Sequence, residues 1–221
     1  CGVVRKGMNE YGFRFRGVQQ GWRGMMEGVW EPLGSEEVSG ILPRGGTILG
    51  TSRTNPYKTE DGGEIVIENM KRMKLDALIA IGGDDTLSVA QKLAASGAPV
   101  VGVPKTIDND ISYCSKTFGF ETAFSKAVEA VQSAHVEAYG AHYGVVVIKL
   151  MGRDSGFIAA NTSLACPDVN FVLIPEVRFD LHGPEGMMAA MENSFDEKQK
   201  KGQHPHSVIV VAEGAGQYLM S

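Results

Sequence analysis

Short apolar runs and helical periodicities alternate along most of the chain. Residues 64–72 (EIVIENMKR) have apolar positions at helical spacing, residues 76–81 (DALIAI) form a short apolar run, and residues 86–95 (TLSVAQKLAA) return to the helical period. This predicts a β-turn-α unit. Ser96-Gly97 breaks the pattern, and residues 98–103 (APVVGV) then predict a second strand stopped by Pro104. Two strands joined by a crossover helix lie parallel, so their following loops open on one edge. A long amphipathic stretch runs from Thr117 to about Ala138, and the grammar then restarts with residues 145–150 (VVVIKL), a Met-Gly-Arg turn and a helix through residues 154–162. Residues 171–174 (FVLI) and 208–212 (VIVVA) supply two more strands that read as buried, with a helix of roughly fifteen residues between them.

The pattern predicts an α/β fold of two Rossmann-like lobes with mainly parallel sheets. The boundary is expected near Gly119, where a loop enters the long helix, giving lobes of residues 1–119 and 120–221. No fixed-period repeat or low-complexity tract interrupts it. With 221 residues and 43% hydrophobic composition, the chain has enough apolar material for one large domain or two small ones. A disordered or fibrous chain is excluded.

The net charge of −5, without a dense block of Lys or Arg, argues against nucleic-acid binding. An anionic substrate would need a local basic cluster. Cys1, Cys114 and Cys166 are scattered, with no Cys-x-x-Cys pair and no histidine at ligand spacing. Neither a disulfide framework nor a zinc site is indicated, and a reducing, cytoplasmic setting is expected. No apolar stretch approaches the ~18 residues of a membrane span and no charged-then-apolar leader is seen, so neither a span nor a signal peptide is expected. The chain begins with Cys rather than Met, which raises the expectation of a fragment.

The chemistry concentrates at two strand ends. Gly82-Gly83-Asp84-Asp85-Thr86 follows one predicted strand and Pro104-Lys105-Thr106-Ile107-Asp108-Asn109-Asp110 follows the next. The carboxyl ends of strands are where open α/β sheets bind ligands. In the first loop the glycines let the backbone come close to a ligand, and the start of the next helix adds a positive dipole end, a setting suited to phosphate. Asp84 can then hold magnesium, which takes one or two carboxylates plus phosphate oxygens and water. Read alone, these residues also fit a tight turn with one Asp capping the helix.

In the second loop, Asp108 facing a crevice can accept a proton from an attacking hydroxyl. Thr106 can bond a phosphate or a sugar, and Lys105 can balance charge on a transferring group. Asx-turn chemistry with a surface lysine is the plainer alternative. His135 and His142, near the end of the long helix, read as surface residues rather than ligands. Met187, Met188 and Met191 read as core packing.

These two loops, with Gly45-Gly-Thr-Ile-Leu-Gly-Thr-Ser-Arg53, Phe118-Gly-Phe-Glu-Thr122, Lys149-Leu-Met-Gly-Arg-Asp-Ser-Gly156 and Val211-Ala-Glu-Gly214, resemble the six-phosphofructokinase family, in the family's order from about Gly17 to Gly216. The resemblance implies that Asp108 is the base that deprotonates the 1-hydroxyl of fructose 6-phosphate, with Thr106, Ile107 and Asp110 in the same loop and Lys105 beside the transferred group. It implies magnesium on Asp84, and donor phosphates at Arg53, Gly82, Gly83, Asp85, Thr86 and Lys105. Met151, Gly152 and Arg153 would line the sugar-phosphate site, Arg153 also facing the transferred phosphoryl group, and Glu213 would bond sugar hydroxyls. The lobes would then be a phosphate-donor and magnesium lobe and a sugar-phosphate lobe. Without the resemblance, Arg153 reads as an ordinary solvated arginine and Glu213 as a turn residue.

The donor turns on Asp85 and Lys105. ATP-using bacterial members usually carry Gly-Gly-Asp-Gly and Pro-Gly-Thr, the glycine in place of Asp85 leaving room for the nucleotide's α-phosphate. Two like unit charges at about 4 Å cost roughly 4 kcal/mol at an effective dielectric of 20, about a thousandfold against ATP. Some long-chain ATP users also read Pro-Lys-Thr, so Asp85 carries most of the inference. Together the two residues resemble the pyrophosphate-dependent branch, with fructose 6-phosphate and pyrophosphate as substrates.

The family's first strand would precede Cys1, and a further portion with sugar-phosphate contacts would follow Ser221, so the resemblance implies an interior fragment, incomplete at both termini. An intact homo-oligomer is implied as well, because bacterial members build the sugar site across subunits. Gly144 stands near where many ATP users have the shared arginine, with His142 as a neighbouring substitute. Lipid and nicotinamide-nucleotide kinases share the glycine turn but not the second loop or Lys-Leu-Met-Gly-Arg. A noncatalytic subunit or fragment is the other alternative.

Overall fold

The computed structural model describes residues 1–220 and separates into two units, Cys1–Val103 and Pro104–Ser221. The loop carrying Lys105 to Asp110 therefore belongs to the second unit. The first unit opens with α1 (Gly2–Tyr11), β1 (Phe15–Val18), α2 (Trp22–Glu27) and β2 (Trp30–Leu33), where sequence periodicity assigns no element. Four-residue strands and a six-residue helix hold too few positions to display a period. β1 and β2 pair antiparallel, from Phe15 opposite Leu33 to Val18 opposite Trp30. The Arg16 guanidinium lies 3.9 Å over the Trp30 ring and donates to the Met73 carbonyl, which ties this ribbon to the next helix.

That helix is α3 (Gly62–Arg72), followed by β3 (Leu78–Gly82), α4 (Asp84–Ala95) and β4 (Val100–Pro104). Two helix-forming periods and two apolar runs thus become the β-turn-α unit they predict, with β3 and β4 side by side in one sheet. Its core gathers Trp22, Met25, Val66, Met70, Val89 and Leu93. One buried polar side chain stands in it: Asn69 on α3 donates from Nδ2 to the carbonyls of Met25 (2.9 Å) and Met26 (2.7 Å). These belong to the last turn of α2, whose carbonyls have no partner within their own helix.

The second unit contains α5 (Phe120–Gly140), β5 (Val145–Leu150), α6 (Phe157–Ala165), β6 (Phe171–Leu173), α7 (Met187–Lys200) and β7 (Ser207–Ala212). The sheet order is β5-β7-β6, and both ladders are parallel. β7, last in sequence, is the middle strand, and all its residues but Val211 are buried. Val131, Ala159, Cys166, Val208 and Val210 form the core beneath it. β5 and β7 run in register from Val145 opposite Ser207 to Leu150 opposite Ala212. Their carboxyl ends are therefore level, and the turns that follow emerge side by side.

Two expectations are corrected. The flanking strands are not buried throughout: β5 alternates, with Val147 63% exposed, and in the first unit Ile81 on β3 and Val101 on β4 also face outward. Continuous apolar runs imply cover on both faces of a parallel sheet, and among the described residues these strands are covered on one. The methionines of α7 are not core residues: Met188 is 40% exposed, Met187 and Met191 are half-buried, and no residue of that helix is fully buried. Its sequence, MMAAMENSFDEKQK, offers little apolar branching to hold it deeper. No helix among the described residues is long and apolar enough to cross a membrane.

Candidate active site

In the first unit, β3 ends at Gly82 and α4 begins two residues later. Gly83 is the N-cap in extended backbone, its carbonyl accepting from the amides of Thr86 and Leu87 at 3.0 Å each. No side chain caps this end, so the aspartate cap allowed by the sequence does not form. Asp84 and Asp85 instead occupy the first turn itself, both exposed. They lie where the helix dipole favours negative charge. Gly82 is buried against its own helix, and a Cβ there would lie 2.5 Å from the Thr86 hydroxyl.

Arg53 is exposed in an irregular segment, between Ser52, whose hydroxyl donates to the Gln20 carbonyl at 2.7 Å, and Asn55, whose side chain accepts from the Tyr57 amide at 3.0 Å. Neither a hydrogen bond nor an ion pair joins Arg53 to Asp84 or Asp85 among the described residues. Nor does any group of three or more His, Cys, Asp or Glu among them form a ready-made metal cage. Magnesium needs no such cage when phosphate oxygens and water complete its shell. Asp84 as one exposed carboxylate fits that donor set.

The second unit holds Lys105, Thr106, Ile107, Asp108, Asp110, Met151, Gly152, Arg153 and Glu213. After β4 the chain turns through Asn109, in left-handed backbone at φ 57°, and returns so that the Phe118 amide donates to the Pro104 carbonyl at 2.9 Å. Within this turn the Thr106 hydroxyl lies 3.2 Å from Asp108 Oδ2 and accepts from the Asp108 amide at 3.3 Å. Thr106, Ile107 and Asp108 are half-buried, while Lys105 and Asp110 are exposed. One oxygen of the Asp108 carboxylate is thereby oriented locally, and the other remains an acceptor.

The turns after β5 and β7 meet directly. The Glu213 amide donates to Leu150 at 2.9 Å, and the Gly214 amide to Gly152 at 3.0 Å. Gly152 has φ +130°, a conformation closed to side chains, and a Cβ on Gly214 would overlap the Arg153 carbonyl. The two glycines allow Met151-Gly152-Arg153 and Glu213 to share one rim, with Met151, Arg153 and Glu213 all exposed. No ion pair joins Arg153 and Glu213, so each head group is available to a ligand.

Three residues of this region carry structure that motif reading did not assign. Thr117 and Ser155, only 5% and 6% exposed, donate to the backbone carbonyls of Thr106 (2.9 Å) and Asp108 (3.2 Å). Glu176 accepts from the Gly156 amide, just ahead of α6, at 2.8 Å. The signal for Thr117 and Ser155 in sequence is only that each sits within two residues of a glycine that precedes a helix. His135, expected at the surface, is packed against His206, with 3.1 Å between their Nε2 atoms, and lies 3.5 Å from Asp168.

A family model described as Phosphofructokinase matches residues 1–220. The chain is 48% identical over 214 residues to a pyrophosphate–fructose 6-phosphate 1-phosphotransferase of Streptomyces coelicolor, covering 96% of this chain and 59% of that protein. It is 43% identical over 225 residues to an ATP-dependent 6-phosphofructokinase of Borreliella burgdorferi, covering 97% of this chain and 49% of that one. The crystal structure of Pichia pastoris phosphofructokinase in the T-state matches with a TM-score of 0.84 and 25% identity, over 96% of this chain and 24% of that chain. The chain thus spans 59% and 49% of the length of these two curated relatives.

Proposed function

The chain belongs to the phosphofructokinase family, and we propose that the whole protein transfers a phosphoryl group from pyrophosphate to the 1-hydroxyl of fructose 6-phosphate. The observation that carries this reading is the half-buried Asp108 carboxylate, hydrogen-bonded to Thr106 on a loop tied down at both ends. A base must be held within hydrogen-bond reach of the proton it takes, and this carboxylate is held. Asp108 accepts the 1-hydroxyl proton as that oxygen bonds to phosphorus. The bond from phosphorus to the bridging oxygen breaks, orthophosphate leaves, and fructose 1,6-bisphosphate is formed. Arg153 and Lys105 stabilise charge on the transferred group, Met151 and Gly152 line the sugar-phosphate site, and Glu213 accepts from sugar hydroxyls.

Donor phosphates would contact Arg53, Gly82, Gly83, Asp85 and Thr86. Asp84 would hold a magnesium ion, which would supply charge neutralisation and orientation of the phosphates. Pyrophosphate as donor is supported by Asp85 and by the name of the Streptomyces relative. A second reading, ATP as donor, is supported by the Borreliella relative at nearly the same identity. The intact enzyme is proposed to be a homo-oligomer in the cytoplasm.

The deciding experiment assays the full-length protein with fructose 6-phosphate, magnesium and either pyrophosphate or ATP, measuring fructose 1,6-bisphosphate. A higher kcat/KM with pyrophosphate is expected. A higher value with ATP overturns the donor assignment, and no product with either overturns the reaction.

A further inference from the structure

We propose that Thr117 and Ser155 are positioning residues for Asp108, two buried hydroxyls from different segments that fix the peptides on either side of the base. This rests on the reading of Asp108 as base. Thr117 Oγ1 donates to the Thr106 carbonyl at 2.9 Å, and Ser155 Oγ donates to the carbonyl of Asp108 itself at 3.2 Å. The Thr117 amide also donates to Asn109 Oδ1 at 2.8 Å, which holds Asn109 in its left-handed conformation. The backbone at 106, 108 and 109 is therefore restrained on both sides of the carboxylate.

Neither hydroxyl faces solvent, since Thr117 is 5% and Ser155 6% exposed. Burying a hydroxyl costs free energy unless it is hydrogen-bonded, and both of these donate to the base loop. Thr117 precedes α5 and Ser155 precedes α6, so two helices of the second unit anchor a loop with no regular structure of its own. Misplacement of a reacting group by ~1 Å slows turnover by about a hundredfold. Loss of either anchor therefore acts on the chemical step through Asp108. Thr117 lies outside the Met151–Arg153 turn, whereas Ser155 follows Arg153 by two residues in it, so KM for the sugar phosphate is read beside kcat and Thr117→Val is the cleaner variant.

The test uses the full-length protein with fructose 6-phosphate and the donor that supports turnover. Thr117→Val and Ser155→Ala are each expected to lower kcat about 10- to 100-fold while KM for fructose 6-phosphate changes less than about threefold. Thr117→Ser, which keeps the hydroxyl, is expected to restore kcat. In an Asp108→Asn background, Thr117→Val and Ser155→Ala are expected to add no further loss to the residual turnover, because they act through the side chain already removed. A kcat within about threefold of wild type in both single variants, or an equal loss in the Asp108→Asn background, overturns the proposal. If Thr117→Val does not fold, Ser155→Ala carries the test by the same criteria. Asp108→Asn alone reads the base assignment separately: a kcat near wild type sinks that reading, whatever the hydroxyl variants do.

Discussion

Replacing Asp85 is the sharpest probe of donor choice. A carboxylate about 4 Å from an α-phosphate costs roughly 4 kcal/mol at an effective dielectric of 20 but only ~1 kcal/mol in bulk water. Asp85 is exposed in the first turn of α4, which places it toward the aqueous end of that range. The penalty is then about 1–2 kcal/mol, or roughly 5- to 30-fold, below the roughly thousandfold that a dielectric of 20 gives. In the full-length enzyme, Asp85→Gly is expected to raise the ratio of kcat/KM for ATP over that for pyrophosphate by this factor. Asp85→Asn separates charge from volume, because it removes only the charge. Both variants lose an acidic residue from a helix amino terminus, worth about 0.3–1 kcal/mol of stability, so thermal melts are recorded alongside. A donor ratio that moves less than about twofold in both variants refutes the electrostatic and the steric reasoning together. A change with Gly alone refutes the electrostatic part.

Three further outcomes are expected. Asp108→Ser should lower kcat by about 10² to 10⁴ with little change in KM for the sugar phosphate, and a proportional loss of sugar-phosphate affinity in steady-state kinetics contradicts the role of base proposed for it. Asn69→Leu should destabilise the first unit by about 1–3 kcal/mol, because the Met25 and Met26 carbonyls lose their donor; an unchanged denaturation midpoint argues that water replaces it. His206 is held below its usual pKa of 6.5, chiefly by burial, with Lys198, His135 and His204 adding like charge and the His204 carbonyl opposing them. The unfolded chain then binds the proton more readily, so this stability is complete above about pH 6.5 and declines as pH falls through that value toward the lower folded one. His206→Gln should flatten the pH dependence of the melting temperature between pH 5 and 7, and an unaltered slope excludes His206 as its source.

What was legible in the sequence followed from distance along the chain. Helix α4 and strands β3 and β5 announce themselves because their apolar positions recur within one element, and the boundaries of β5 coincide with the run VVVIKL. The β1–β2 ribbon stayed hidden because its strands are four residues each. The placement of β7 between β5 and β6 is likewise not a property of any local run. Among site residues, the Thr106–Asp108 contact spans two positions and lies inside a motif. The bonds from Thr117 and Ser155 span eleven and 47 positions, and no periodicity encodes them. The exposure of Asp85, which changed the expected size of its effect, depends on which side of a helix turn faces water.

Under the roles proposed for them, the two carboxylate loops put the same origin to different chemistry. Both follow a short apolar strand, yet Asp84 and Asp85 stand exposed in a regular helical turn while Asp108 sits half-buried in an irregular loop. A ligand of magnesium tolerates latitude, because water and phosphate oxygens adjust around the ion. A general base does not, because proton transfer falls off once the acceptor leaves hydrogen-bond reach. The distribution of anchors matches that demand. The β3–α4 turn has only the Gly83 carbonyl bonds of an ordinary helix start, whereas the Asp108 loop has three hydroxyls, from Thr106, Thr117 and Ser155, hydrogen-bonded to Thr106 or Asp108. Substitutions that loosen the first turn should therefore shift donor and metal affinity, and those that loosen the second should shift kcat. Measuring KM for magnesium and pyrophosphate in Asp84→Asn beside kcat in Ser155→Ala checks this division, and a loss of kcat alone in Asp84→Asn contradicts it.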